Sequence, residues 1–366
     1  MKRIYLDHAA TTLLLPAAKA AMEEWLSSGN ASSLYSEGRA AKAKVDEARE
    51  VLSLALGCLF AEVIFTSGAT EAASMAIIGS ALGNAQQGRN RVLMSAAEHP
   101  CVLQTRPILE RLGYLVELVP VDREARIDLG CLEDQISDDV LLVCAMHANN
   151  ELGTFSDIPW VARICELTES MLFVDAVQSF GAQPLPLDGI NLLAVTGHKI
   201  GGPKGAGALF IRAGTKIEPI IAGGGQEREL RGGTENVSAI AGFAAAVAHR
   251  EPPNRLARDA FQRAIGGAVM SATDVLPGHC HVRFPGLDGE TVVIRLDREG
   301  ISASSGAACS SGSTEASQVL LACGYSQEEA KEGVRFTFGP QSSVEEAEEA
   351  AARVNRVVSG LREAKN

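Results

Sequence analysis

The chain has 366 residues, of which 46% are hydrophobic, and this predicts a soluble globular protein with one large and one small domain. Its formal net charge of -12 and the absence of a Lys/Arg run argue against nucleic acid or an anionic membrane as its main partner. No apolar run is long enough to span a bilayer, and the N-terminus lacks a signal-peptide core, so we expect a cytoplasmic protein.

Short apolar runs alternate with helical patterns from about residue 60 to 212, which is typical of βαβ units and a mostly parallel sheet. We predict helices between the strands, for example at 70–83, 99–112 and 158–168, on both faces of the sheet. The predicted strands lie near 62–66, 91–95, 115–119, 140–146, 171–175, 192–196 and 207–211.

The pattern changes near residue 236, where we predict a smaller α+β part. Residues 250–254 contain two prolines and predict a hinge. The expected organisation is an N-terminal arm at 1–15 that joins the small domain, a large domain at 16–250 and a small domain at 251–366. The predicted elements are helices at 236–250, 255–270 and 344–362 and strands at 280–284, 292–296 and 333–338.

Eight cysteines are scattered without a C-x-x-C pair, which disfavours a zinc ribbon and a disulfide framework, and we expect no metal site. Cys144 and Cys165 lie in apolar patterns and are expected to be packing residues. Cys309 differs, because the glycine, alanine and serine residues around it offer little bulk to pack against. It is expected to be a thiol on a loop.

Three features fall at the predicted carboxyl ends of strands, where α/β sheets bind their ligands. Lys199 follows an apolar strand and is a Schiff-base candidate, although a surface lysine in a glycine loop is the alternative. Asp175 ends the preceding strand and needs a cation or N–H partner, unless it only caps a helix. Residues 65–71 open a helix and could hold an anion. Together they suggest pyridoxal 5′-phosphate (PLP) as cofactor.

The motifs that carry these residues, taken in order, resemble the NifS/IscS-like cysteine desulfurases of the class V aminotransferase family. The resemblance covers nearly the whole chain and rests on residues 5–12, 65–71, 146–153, 197–199, 223–236 and 305–311. It implies a PLP-dependent transferase of fold type I, with a mostly parallel seven-stranded sheet in the large domain. It also implies a homodimer in which Thr234 reaches the phosphate of the neighbouring subunit.

The resemblance further implies a role for each matching residue. Lys199 would bind the cofactor and move protons, and Asp175 would keep the pyridine nitrogen protonated. His99 would stack on the ring and relay protons. Cys309 would take sulfur from L-cysteine as a persulfide, which releases L-alanine, and would pass it to an acceptor protein for Fe-S cluster assembly or thiolation. The remaining implied contacts are Ala69, Thr70, Thr196 and His198 with the phosphate, Asn150 and Gln178 with the phenolic oxygen, and Arg335, Asn150 and Asn30 with the substrate.

The chain departs from the family pattern at Ala31 and Tyr35, where proline and histidine are usual, and its 250–280 region looks short. Efficiency or substrate preference could therefore differ. Two alternatives stay open: a selenocysteine lyase or aminotransferase-type activity, in which Cys309 is unimportant, and a degenerate PLP-binding protein with a regulatory role.

Overall fold

A seven-stranded, mostly parallel sheet forms the centre of the computed structural model, which describes residues 2–86, 88–272, 274–306 and 316–365. Its strand order is β2-β8-β7-β6-β5-β3-β4, and only β8 runs antiparallel to its two neighbours. The strands are β2 (Val63–Thr66), β3 (Arg91–Ser95), β4 (Leu115–Val119), β5 (Val140–Met146), β6 (Met171–Asp175), β7 (Leu192–Thr196) and β8 (Gly207–Ile211).

Central strands are mostly apolar because helices cover both faces of the sheet. All seven residues of β5 are buried, and β5 pairs in parallel with β3 and β6. The helices before residue 250 are α1 (Pro16–Glu24), α2 (Ser36–Leu56), α3 (Ala69–Gly83), α4 (Pro100–Leu103), α5 (Arg106–Arg111), α6 (Leu129–Gln135), α7 (Ile158–Leu167) and α8 (Val237–His249).

The C-terminal part forms a separate hydrophobic core, in which Ile4 and Leu6 of the N-terminal segment are also buried. Its strands are β9 (Ala268–Val269), β10 (His279–Arg283), β11 (Ile301–Ser302) and β12 (Gly333–Thr337), and β1 (Ile4–Tyr5) pairs with β11. Its helices are α9 (Arg255–Ala264), α10 (Gly289–Arg298), α11 (Gln318–Ala322), α12 (Gln327–Lys331) and α13 (Val344–Glu363).

Most predicted elements agree with the structure, but the strand predicted at 292–296 is wrong, because these residues lie inside α10. The side chain of Asp288 caps that helix by accepting a hydrogen bond from the N–H of Thr291. Val292 and Leu296 are four positions apart and share its buried face, so helical packing overrides the β-branched composition. The helix predicted at 255–270 ends at Ala264, and the one at 99–112 is divided into α4 and α5.

Cys144 and Cys165 are buried, which confirms their prediction as packing residues, and none of the cysteines in the described ranges forms a disulfide. Among the helices that the structure describes, none is long and apolar enough to cross a membrane.

Candidate active site

Lys199 ends a single 3₁₀ turn that directly follows β7, and it is half-buried. Its ammonium group donates hydrogen bonds to the carbonyl oxygens of Ala9 and of Ala10, the latter at 3.1 Å. Thr12 holds the same turn, because its hydroxyl donates to the carbonyl of Lys199 at 2.9 Å and its N–H donates to that of His198 at 2.8 Å. The N-terminal segment therefore fixes the lysine at the carboxyl edge of the sheet.

Asp175 lies at the same edge, because it ends β6 and pairs in register with Ala194 of the neighbouring β7. Its side chain is buried, and one carboxylate oxygen accepts a hydrogen bond from the N–H of Val177 at 2.9 Å. Burial raises the pKa of Asp175 to about 6, although the Val177 N–H and the charge of Lys199 both favour its anion. An N–H⁺ donor bound here would stabilise that anion further.

The anion cup predicted at Ala69 and Thr70 forms the first turn of α3, a helix of 15 residues that starts at the carboxyl end of β2. Thr70 is exposed, so the free N–H groups of this turn are accessible to a ligand. Glu71 is engaged next to the cup, with its carboxylate 2.8 Å from Arg231. The charge of Arg231 is therefore balanced by Glu71, whose carboxylate also accepts a 2.9 Å hydrogen bond from the N–H of Ser67.

His99 caps α4, and its Nδ1 accepts a hydrogen bond from the N–H of Cys101 at 3.2 Å. Burial, with a smaller contribution from the charge of Lys199, lowers the pKa of His99 to about 4. The imidazole is therefore neutral at pH 7 and lies within electrostatic range of the lysine. A neutral ring with Nδ1 as acceptor carries its hydrogen on Nε2.

Arg335 lies in β12 and is buried. Its guanidinium donates to the carbonyl of Asn150 at 2.9 Å and to the carboxylate of Asp7 at 3.0 Å. Its Nε has no hydrogen-bond partner among the described residues. The arginine is thus held in place by two of its five N–H groups, and the Nε–H is among those that these two bonds do not use.

The two predicted amide side chains lie beside these groups. Gln178 donates to the carbonyl of Ala9 at 3.0 Å, the same oxygen that Lys199 contacts. The amide oxygen of Asn150 is buried and has no hydrogen-bond partner within the described ranges. A buried polar atom of this kind is costly unless a ligand satisfies it.

Three other predicted residues contact nearby groups of the protein. The hydroxyl of Thr196 donates to the carbonyl of Ala206 at 3.2 Å, and His198 Nδ1 lies 3.4 Å from the hydroxyl of Thr11. Burial, aided by the charges of Lys199 and Lys204, lowers the pKa of His198 to about 4. Asn30 is exposed, and its side chain accepts a local hydrogen bond from the N–H of Ser32 at 2.9 Å.

Thr234 is exposed and lines a surface depression together with Ser67 and Arg231 of the same chain. This places it near the end of β2 that leads into the anion cup. Its contact with a neighbouring subunit stays a prediction.

Cys309 lies outside the described residues, but both flanks of its segment meet at Glu151. The hydroxyl of Ser317 donates to Glu151 Oε2 at 2.7 Å, and a Cβ built on Gly306 would lie 2.6 Å from the same oxygen. On the same side, the backbone of Ser304 pairs with Arg335 through two hydrogen bonds of 2.6 and 3.1 Å. The chain therefore leaves for Cys309 and returns from it next to Asn150 and Arg335.

Sequence reasoning missed several buried polar groups around this site. His8 and His279 line a pocket that Lys199 and Gln178 also line, and each has a ring nitrogen without a partner among the described residues. Burial lowers the pKa of His8 to about 4 and that of His279 to about 3. In the sequence, the signal for these two histidines was their position in or beside predicted strands, and structural histidines commonly have the same position.

The fold and the strand-end constellation of lysine, aspartate and histidine define a cofactor-dependent transferase, and comparison with known proteins agrees with this class. The aminotransferase class-V family model matches residues 4–349. A solved NifS-like protein superposes with a TM-score of 0.90 at 30% identity, covering 98% of this chain and 100% of that one. A solved structure described as SspA in complex with cysteine has a TM-score of 0.84 at 31% identity and covers 93% of this chain and 99% of its own.

Curated relatives narrow the class. The cysteine desulfurase IscS of Dictyoglomus turgidum is 38% identical over 99% of this chain and 96% of its own length. The cysteine desulfurase NifS of Azotobacter vinelandii is 36% identical over 99% of this chain and 94% of its own length. The chain therefore belongs to the NifS/IscS-like cysteine desulfurases of the class V aminotransferase family, whose members are PLP-dependent enzymes. The predicted family and fold class are confirmed.

Proposed function

We propose that the chain binds PLP at the carboxyl edge of its large sheet and transfers the sulfur of L-cysteine to Cys309, which releases L-alanine. The observation that carries this proposal is the adjacency of Asp175 and Lys199 at the ends of β6 and β7. The family and its named relatives support the reaction.

The residues present fit the cofactor. The buried Asp175 carboxylate would hold the pyridinium nitrogen, and the first turn of α3 would hold the phosphate. The side chains of Asn150 and Gln178 would bind the phenolic oxygen of the ring, and the Asn150 amide oxygen has no hydrogen-bond partner among the described residues. When bound, PLP supplies the electron sink for chemistry at the amino acid's carbon atoms.

Lys199 has to become neutral to act as a nucleophile or base. The carbonyl oxygens of Ala9 and Ala10 hold the ammonium form in the absence of ligand. A cationic ring nearby would favour loss of its proton. His99 is neutral and lies within electrostatic range of Lys199, and it would accept a proton during the reaction at Nδ1, which requires the hydrogen bond from the N–H of Cys101 to break.

Arg335 would bind the carboxylate of L-cysteine through its unpaired Nε, with Asn150 beside it. The transfer then balances without an external oxidant: the C–S bond of cysteine breaks, an S–S bond to Cys309 forms, and the carbon takes the proton that completes alanine. The thiol has to ionise first, and His99 or the substrate amine could take its proton.

Two further parts of the proposal concern partners. Thr234 is exposed at the edge of the anion cup, which is where a second subunit could complete the phosphate site in a homodimer. The persulfide requires a sulfur-acceptor protein, an Fe-S scaffold or a sulfur carrier.

The test compares the wild type with Cys309→Ala and Lys199→Ala. We expect a yellow wild-type protein that releases alanine and sulfide from L-cysteine in the presence of a thiol. Lys199→Ala should lose the visible absorbance, and Cys309→Ala should keep it but lose sulfide release. Equal sulfide release by Cys309→Ala would refute the persulfide role, and turnover of selenocysteine alone by that variant would favour the lyase.

A further inference from the structure

Glu98 is a buried carboxyl group to which the proposed reaction gives no role. It follows β3, directly before His99, and only 1% of its surface is exposed. One oxygen accepts a hydrogen bond from the backbone N–H of Met146. The other oxygen, Oε2, is buried without a hydrogen-bond partner, and Glu98 forms no ion pair within the described ranges.

The position of Glu98 links it to Asp175. Glu98 accepts a hydrogen bond from the N–H of Met146, and Met146 pairs in register with Asp175 across β5 and β6. The N–H of the next residue, His147, donates to the carbonyl of Asp175 at 2.9 Å. Glu98 therefore holds the end of the strand against which Asp175 is packed.

Two carboxylates at this depth would repel each other strongly, because little water screens them. Asp175 has the N–H of Val177 at 2.9 Å and the charge of Lys199 to stabilise its anion. Among the described residues, the anion of Glu98 accepts a hydrogen bond from one backbone N–H, that of Met146, and the charge of Asp175 disfavours it. When one of the two carboxyls is protonated, we therefore expect it to be Glu98.

We propose that Glu98 is a neutral carboxylic acid at pH 7 and acts as a positioning residue, which holds the Met146 strand end while leaving Asp175 as the only anion of the pair. Burial and the neighbouring Asp175 raise the pKa of Glu98 well above its usual value, in agreement with the geometry. The role towards the cofactor rests on the proposed function, whereas the protonation state does not.

Glutamine tests this idea directly, because Glu98→Gln keeps an oxygen for the Met146 N–H and places an NH₂ donor where the acid has its O–H. If the native residue is neutral, this change removes no charge. Glu98→Leu is the contrasting variant, since it leaves the Met146 N–H unpaired in the interior. Asp175→Asn is the matched variant that does remove a charge.

The first measurement is the infrared spectrum of the cofactor-free protein at pH 7. We expect the C=O stretch of a protonated carboxyl in the wild type and in Asp175→Asn, and its loss in Glu98→Gln. A wild type without this band, or a band that persists unchanged in Glu98→Gln, overturns the proposal. This result does not depend on whether the chain binds PLP.

The second measurement is PLP binding, followed by visible absorbance against pH. Glu98→Gln should bind PLP within about threefold of the wild-type affinity and keep the pH dependence of its absorbance. Glu98→Leu should bind about tenfold more weakly, because the strand end beside Asp175 loses a hydrogen bond. A pH dependence in Glu98→Gln that moves like that of Asp175→Asn would show that Glu98 carries a charge, against the proposal. If no variant and no wild type binds PLP, the proposed function fails and the infrared result still decides the state of Glu98.

Discussion

A buried ion pair between Arg49 and Glu227 connects three parts of the chain behind the anion cup. Two parallel hydrogen bonds of 2.7 Å join their side chains, which are only 4% and 2% exposed. Arg49 also donates to the carbonyl of Val63 at 2.6 Å, and Glu227 accepts from the N–H of Phe65 at 2.8 Å. The pair therefore fixes β2, the strand that leads into the cup.

Arg49→Met is expected to destabilise the protein strongly, because it leaves the Glu227 carboxylate buried with a single backbone donor. Breaking a buried pair by removing one partner costs about 3–5 kcal/mol. Arg106→Met is the matched control, since Arg106 forms a 2.7 Å ion pair with Glu110 in which both side chains are 48% exposed. That pair is worth about 0.3–0.5 kcal/mol.

Urea unfolding of the cofactor-free protein measures both changes, and the double variant Arg49→Met/Glu227→Gln completes the comparison. Removing the buried Glu227 charge, which has lost its bidentate partner, should recover about 1 kcal/mol of the loss. We also expect weaker PLP binding by Arg49→Met, because the end of β2 is less well held. The reasoning is refuted if Arg49→Met costs no more than Arg106→Met, or if adding Glu227→Gln destabilises it further.

Three other predictions concern single positions. Asp7→Asn should lower the KM for L-cysteine about fivefold in steady-state assays. The Asp7 carboxylate lies 3.0 Å from Arg335 and competes with the substrate carboxylate for it, whereas asparagine keeps an acceptor oxygen without the charge. A raised KM would contradict this. Gly306→Ala should lower the free energy of unfolding in urea more than Gly324→Ala does. Both glycines have φ near +80°, but only at Gly306 would the added Cβ lie 2.6 Å from a carboxylate oxygen of Glu151. Equal losses would contradict the contact. Burial lowers the pKa of His281 from 6.5 to about 4, so its stabilising contribution is complete above pH 6.5 and is lost as the pH falls towards 4. His281→Asn should therefore reduce the stability lost between pH 7 and pH 5 by about 2 kcal/mol, measured by urea unfolding at both values, and an unchanged loss would contradict a buried neutral histidine.

The strands of the large sheet could be predicted because burial on both faces leaves a strong local signal. The run that forms β5 is apolar from Val140 to Met146, and the prediction matches its bounds. The same signal failed at 292–296, where a β-branched run lies in α10. There the cap at Asp288 and the i, i+4 spacing of the buried residues carried the correct information.

The site residues at strand ends could be predicted for a related reason, since parallel strands place their carboxyl ends together. Asp175 and Lys199 needed only this rule and their residue types. Glu98 could not be recognised in the same way, because a glutamate after a strand is ordinarily a solvated residue. Its significance comes from complete burial and from the register of Met146 with Asp175, and both depend on tertiary structure.

The largest gap between sequence and structure concerns the N-terminal segment. Sequence reasoning expected an arm that joins the small domain, but the arm also holds the site: Asp7 pairs with Arg335, and the carbonyl of Ala9 accepts hydrogen bonds from Lys199 and Gln178. These contacts join residues 328, 190 and 169 positions apart, and no local pattern encodes them. Because backbone carbonyls make two of the contacts, side-chain substitutions at Ala9 would leave them in place. The arm therefore positions Lys199 through the path of its backbone, which Thr337 fixes by accepting a 2.9 Å hydrogen bond from the N–H of Ala9. It orients Arg335 differently, through the side chain of Asp7.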